Sequence, residues 1–212
     1  MTDSYLAPDL RSAALLTIDV QQDTLDGQPF EIPGTSAALP QVRRLAAAFR
    51  GAGRPIVHVV RLYLPDGSNV DLCRRRAVTE GARLVLAGSP GAELAPGILP
   101  DPAPKLDADL LLGGGIQRAG PEEVVIYKPR WGAFYRTPLE AHLRTLGVST
   151  LVVAGCNFPN CPRASLYEAS ERDFRLVLVE DAISGLYERG RDEVLRIGVV
   201  PMTTDRLVAA LG

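Results

Sequence analysis

Short, nearly continuous apolar runs alternate along the chain with longer amphipathic stretches. Residues 13–20 (Ala-Ala-Leu-Leu-Thr-Ile-Asp-Val), 55–63, 123–128, 150–154 and 175–181 are rich in apolar and β-branched side chains. That is the pattern of parallel strands covered on both faces. Between the first two runs, Leu39, Val42, Leu45, Ala46 and Phe49 recur at helical spacing within 36–50, and Gly51 and Gly53 close the helix. Further helices are predicted over 69–79, 137–147 and 162–174. The second of these opens with Thr137-Pro138-Leu139-Glu140, a capping-box start with Pro at the first helical position. A sixth strand over 198–204 is held to an edge or terminus by Pro201. The alternation predicts one α/β domain over residues 1–212, with a central, mainly parallel sheet of about six strands.

Residues 81–120 do not fit this rhythm. Gly88-Ser-Pro-Gly91, Pro100-Asp-Pro-Ala-Pro104 and Gly113-Gly-Gly115 make the segment rich in turns, and a Pro/Gly-rich insertion around 88–120 is expected to be a lid or an assembly arm. The glycine triplet lacks the spacing of a dinucleotide or phosphate loop, so no cofactor is expected there.

Charge narrows the function. With 23 basic and 25 acidic residues the net charge is −2, which leaves no global footprint for nucleic acid. The triplet Arg74-Arg75-Arg76 reads as a solvated helix face. The first residues lack the basic and apolar regions of a secretory signal, and no apolar run approaches bilayer length, so no membrane partner is expected and the default location is cytoplasmic. Three cysteines at 73, 156 and 161 suit neither a disulfide framework nor a zinc site. His58 lies inside an apolar strand and reads as a satisfied core residue, while His142 falls in an amphipathic helix. Neither has partners at metal-ligand spacing, so no metal is expected.

Candidate chemistry gathers where strands end. Asp19 closes the run 13–20, Lys128 closes 123–128, and Cys161 follows the strand 150–154 at the start of a helix that Pro162 suits. Ligands of open α/β sheets bind at the carboxyl ends of strands, so the three side chains are expected to meet on one sheet edge. At a helix N-terminus the thiol of Cys161 is expected to be held as a thiolate. The alternative is a small buried residue without chemistry. Gln21, Trp131, Phe134, Tyr135 and Phe158 are the candidate lining of a small pocket beside them.

The chain resembles the isochorismatase-like cysteine hydrolases, a superfamily that also contains the nicotinamidases. The resemblance is carried by Leu15-Leu-Thr-Ile-Asp-Val-Gln21, by Lys128-Pro-Arg-Trp-Gly-Ala-Phe134 with Thr137 and Leu139, by Leu146 through Gly155, and by Cys161 through Val179-Glu-Asp-Ala182. It implies a Rossmann-like three-layer fold and a catalytic triad of Asp19, Lys128 and Cys161. It also implies an oxyanion hole at the backbone N–H groups of Asn157 and Cys161, a cis peptide between Cys156 and Asn157, and assembly as a homodimer or homotetramer. The Asp and paired His that hold the metal in nicotinamidases have no match after His58, and Asn157-Phe-Pro-Asn160 before the cysteine departs from the common pattern.

The expected function is hydrolysis of a C–N bond in a small amide, ureide or lactam through a thioester, with no cofactor. Two alternatives stay open: vinyl-ether hydrolysis of an isochorismate-like substrate, in which Asp19 alone supplies acid catalysis, and a non-catalytic small-molecule-binding protein.

Overall fold

The structure is a computed structural model that describes residues 4–211. Seven strands form one sheet: β1 (Ala13–Ile18), β2 (Ile56–Val60), β3 (Ile116–Gly120), β4 (Glu123–Tyr127), β5 (Thr150–Gly155), β6 (Arg175–Ile183) and β7 (Val199–Met202), in the order β3-β4-β2-β1-β5-β6-β7. All neighbours are parallel except β3 and β4, which pair antiparallel. β1, β2 and β5 are buried along their whole length, which is why their sequences are nearly continuous in apolar residues.

Helices cover both faces. On one, α1 (Thr35–Gly51) lays Leu39, Val42, Leu45, Ala46 and Phe49 against Leu15, Val60, Val152 and Val177, joined by Leu207 of α7 (Thr204–Leu211). On the other, α4 (Leu139–Thr145), α5 (Cys161–Ser170) and α6 (Glu188–Leu195) place Leu139, Leu143, Leu166, Ala169 and Val194 over Leu16, Ile18, Val57, Val153 and Leu178. The two cores alternate residue by residue along each strand, as the pleat requires. Two further helices, α2 (Leu72–Thr79) and α3 (Ala108–Leu112), lie in the connections around β2 and β3.

The sheet has seven strands where about six were expected. The additional one is β3, which with α3 comes from the turn-rich segment 81–120. This segment is anchored on the sheet: Ile98 and Leu111 are fully buried in the α1 core, and the Arg50 guanidinium donates to the Ile98 carbonyl. β7 takes the other edge, where Pro201 costs no ladder bond on the open side. Among the described residues no helix is long and apolar enough to cross a membrane.

Candidate functional site

The strand order explains how distant residues meet. β4, β2, β1 and β5 are consecutive neighbours, all parallel, so the residues that follow them emerge side by side on one edge. Asp19 follows β1, Arg61 follows β2, Lys128 follows β4, and the turn after β5 leads to Cys161.

Local backbone fixes each position. Asp19 adopts a left-handed φ of 52°, costly for a residue with a Cβ, and its carbonyl accepts from the Thr24 hydroxyl and the Cys156 thiol at 3.1 and 3.0 Å. Gly155, at φ 118°, ends β5 so close to β1 that a Cβ there would stand 2.2 Å from the Ile18 carbonyl oxygen. Only glycine permits this approach, and it lets the Cys156 N–H reach the Ile18 carbonyl at 2.9 Å. The loop carrying Lys128 is docked onto the Cys161 helix: the Ala133 N–H donates to Ser165 Oγ at 3.0 Å, the Phe134 N–H donates to Glu168 at 2.9 Å, and Ser165 in turn donates to the Cys161 carbonyl.

Asp19, Lys128 and Cys161 converge as the sequence predicts. The Lys128 ammonium sits 2.8 Å from Asp19 Oδ2 and donates to Cys161 Sγ at 3.2 Å and to the Arg130 carbonyl at 3.3 Å. All three are buried, Lys128 completely. Asp19 Oδ1 is buried without a hydrogen-bond partner among the described residues. Burial and the Asp19 charge push the Cys161 thiol up to about 11, against the opposing pull of Lys128 and Arg61. The expectation of a depressed pKa at the helix start is therefore corrected: desolvation outweighs the cations.

A narrow cleft opens on these groups, lined by Asp19, Gln21, Phe30, Arg61, Arg74 and Cys161 among others. About 10 Å³ of it is open to a water-sized body, roughly one water molecule. Of the candidate lining, Gln21 is present, but its amide is consumed by the backbone of Arg61 and the Ala92 carbonyl. Trp131 reaches the cleft through Arg74, whose guanidinium lies 4.7 Å from its ring centroid. The other three aromatics do not line it. Phe134 packs on Phe174 in the α5 core, Phe158 is fully buried against Tyr187, and Tyr135 is exposed beside Arg136. An apolar ring in a loop is drawn to the nearest core, and the loop after β4 and the turn before α5 both lie directly over one.

The expected cis bond between Cys156 and Asn157 is also absent; among the described residues the cis peptide is Asp101–Pro102. The turn is made instead by Gly155 and by Asn160, at φ −116° and ψ −101°. Among the described hydrogen bonds, the N–H groups of Asn157 and Cys161 donate to no protein acceptor.

Two residues of the cleft were not anticipated. Arg61, on the apolar run 55–63, is buried and bonded to Asp71 and to the carbonyls of Pro129 and Arg130. A charge at the end of an otherwise apolar strand was the available signal. Arg74 belongs to the triplet expected on a solvated face, yet its guanidinium carbon lies 4.6 and 4.7 Å from the ring centroids of Phe30 and Trp131. His58 is a satisfied core residue, as expected, with Nδ1 2.7 Å from Thr17 Oγ1 and Nε2 2.7 Å from Glu123.

The donor set after β2 does not suit a divalent metal. Arg61 places a cation there, and the Asp71 carboxylate is taken up by Arg61, the Tyr63 hydroxyl and Arg74. No group of three His, Cys, Asp or Glu side chains stands in metal-binding reach among the described residues.

Comparison with known proteins identifies the family of the chain and its fold. The isochorismatase domain model matches residues 13–106 and 115–205. A maleamate amidohydrolase of Pseudomonas putida is 31% identical over 175 residues, covering 82% of this chain and 72% of that protein. A probable inactive nicotinamidase of Arabidopsis thaliana is likewise 31% identical, over 82% of this chain and 81% of its own length. The crystal structure of an isochorismatase family protein from Desulfovibrio vulgaris superposes with a TM-score of 0.78 at 31% identity, over 94% of this chain and 98% of the other. On the extent of the domain match and of these relatives, the chain belongs to the isochorismatase domain family.

Proposed function

We propose that the chain hydrolyses the C–N bond of a small amide through a thioester on Cys161, with Asp19 as the proton carrier and Lys128 as the fixed cation. The observation that carries this reading is the position of one buried ammonium 2.8 Å from the Asp19 carboxylate and 3.2 Å from the Cys161 sulfur. A relative named as an amidohydrolase supports the bond class.

Asp19 takes the thiol proton as the sulfur attacks the amide carbonyl, forming a C–S bond and a tetrahedral oxyanion. The oxyanion is assigned to the N–H groups of Asn157 and Cys161, neither of which donates to a protein acceptor among the described residues; one such donor is worth about 3 kcal/mol of transition-state binding. Collapse breaks the C–N bond, and Asp19 returns its proton to the departing nitrogen. Water then gives a proton to Asp19 and its oxygen to the acyl carbon. The C–S bond breaks, and the thiol recovers its proton. Lys128 keeps the carboxylate oriented and offsets negative charge as it passes between oxygen and sulfur. No step calls on a metal, since Arg61 occupies the position after β2.

Ammonia release from a panel of small amides tests the proposal. Cys161→Ala is expected to lower turnover at least ~1,000-fold with the fold intact. Substantial turnover of a vinyl ether by the alanine variant would replace this reading with ether hydrolysis by Asp19.

A further inference from the structure

A second cavity lies at the edge of the sheet opposite Asp19, Lys128 and Cys161. Ile56 and Glu123 are the first residues of β2 and β4 and stand opposite each other in register, so the whole length of both strands separates them from Arg61 and Lys128. Between these strand starts and the end of α1 the cavity holds about 190 Å³, below the ~300 Å³ at which drug-sized ligands begin to fit. Ile56, Pro100 and Pro121 give it apolar walls, while Arg50, Arg54, Glu122 and Glu123 bring charge. A single ring or a short branched chain suits such a volume.

The charges are not equally spent. The Glu123 carboxylate accepts from Nε and Nη2 of Arg50, both at 2.6 Å, and pairs with His58 Nε2 at 2.7 Å. Arg50 also donates to the Ile98 carbonyl. Arg54 has no such partner. Its Nε is buried, and its guanidinium forms no hydrogen bond or ion pair among the described residues. Nor is its side chain needed to close α1, because the carbonyls of Ala48, Arg50 and Phe49 already accept from the backbone N–H groups of Ala52, Gly53 and Arg54. The remaining carboxylate, Glu122, is exposed and forms no ion pair among the described residues. Solvent satisfies an exposed carboxylate, whereas a buried guanidinium N–H calls for an acceptor brought to it. A planar fork of unspent donors beside an apolar wall is suited to a carboxylate with an apolar body.

We infer that this cavity is a second ligand site, for a small apolar monocarboxylate whose body lies on Ile56, Pro100 and Pro121 and whose carboxylate takes the fork of Arg54. The site stands apart from the acyl-transfer chemistry, since none of Asp19, Lys128 and Cys161 lines it.

Calorimetry and two-dimensional 15N NMR test the site in the full-length Cys161→Ala chain, so that no probe is consumed at the other edge. The probes are benzoate and 3-methylbutanoate, the amide of each, and benzylamine. The better carboxylate is expected to bind about 10-fold more tightly than its amide, and benzylamine no more tightly than the amides. Its binding should shift the amide signals of Gly53, Ile56 and Glu123 and leave those of Gly155 and Cys156 in place. Arg54→Gln should bring the ratio to within about 2-fold, and Arg54→Lys should retain part of it. Glu122→Gln, which removes a nearby negative charge, should tighten carboxylate binding about 2-fold. Absence of saturable shifts at Gly53, Ile56 and Glu123, a carboxylate-to-amide ratio near one, a ratio untouched by Arg54→Gln, or tighter binding of benzylamine would overturn the inference. If Arg54→Gln does not fold, Arg54→Lys and Glu122→Gln decide: an unchanged ratio in the first together with weaker carboxylate binding in the second would overturn it.

Discussion

At the scale of single residues, burial and the Asp19 charge push the Cys161 thiol up to about 11 in spite of two nearby cations. A helix start and two nearby cations both favour a thiolate, but the thiol of a residue only 4% exposed loses more by leaving water than Lys128 and Arg61 return. The Asp19 charge acts in the same direction as burial. In the proposed acyl transfer the nucleophile would be made when substrate arrives, by transfer to Asp19, whose Oδ1 is buried without a hydrogen-bond partner among the described residues. A thiolate absorbance titration, with the Cys161→Ala curve subtracted to remove Cys73 and Cys156, should show an inflection near pH 11 and none between about 6 and 9. Lys128→Gln removes a cation that lowers the thiol and should move the inflection higher still. An inflection below about pH 8 would mean that the cations prevail after all.

At the scale of elements, a polar ladder crosses the sheet. Thr17 on β1, His58 on β2, Glu123 on β4 and Arg50 on α1 are joined by hydrogen bonds of 2.6 to 2.7 Å, deep between apolar layers. Burial holds His58 below its ordinary value of 6.5, so the unfolded chain takes up the proton first and stability falls as pH drops below about 6.5. Glu123 is opposed by burial but overruled by Arg50 and His58, which hold it at about 2 against an ordinary 4.5. Its contribution is complete above pH 4.5 and is lost as pH falls towards 2. Glu123→Gln should cost about 2 kcal/mol in urea unfolding at pH 7 and flatten the decline between pH 4.5 and 2. An unchanged decline would show that the acid loss arises elsewhere. His58 was legible as a core histidine because its run is apolar on both sides. β3 was not legible, since Ile116–Gly120 is an edge strand with Gln, Arg and Gly among its five residues, and edges lack the continuous apolar signature of buried strands.

At the scale of the molecule, the site is a product of sheet order. Asp19, Lys128 and Cys161 could be foreseen together because each follows an apolar run, and parallel strands place such positions on one edge. The lining of the cleft could not. Phe30, Arg74 and Trp131 lie on three separate connections, and nothing in their spacing announces that one guanidinium will reach two rings. The same limit misplaced Phe134 and Phe158, whose loops happen to run over a core. The chain's net charge of −2 likewise says nothing of the two arginines at its cleft, because a sum over 212 residues does not report where charges sit.

The claim on which the rest depends is that a covalent bond forms on Cys161. Intact mass spectrometry of the chain, acid-quenched during turnover of an amide it hydrolyses, tests this directly. A species heavier by the acyl group less one hydrogen, mapping to the peptide that contains Cys161 and missing from Cys161→Ala, is the predicted result. Steady turnover with only the unmodified mass at every quench time, and undiminished turnover in the alanine variant, would contradict it.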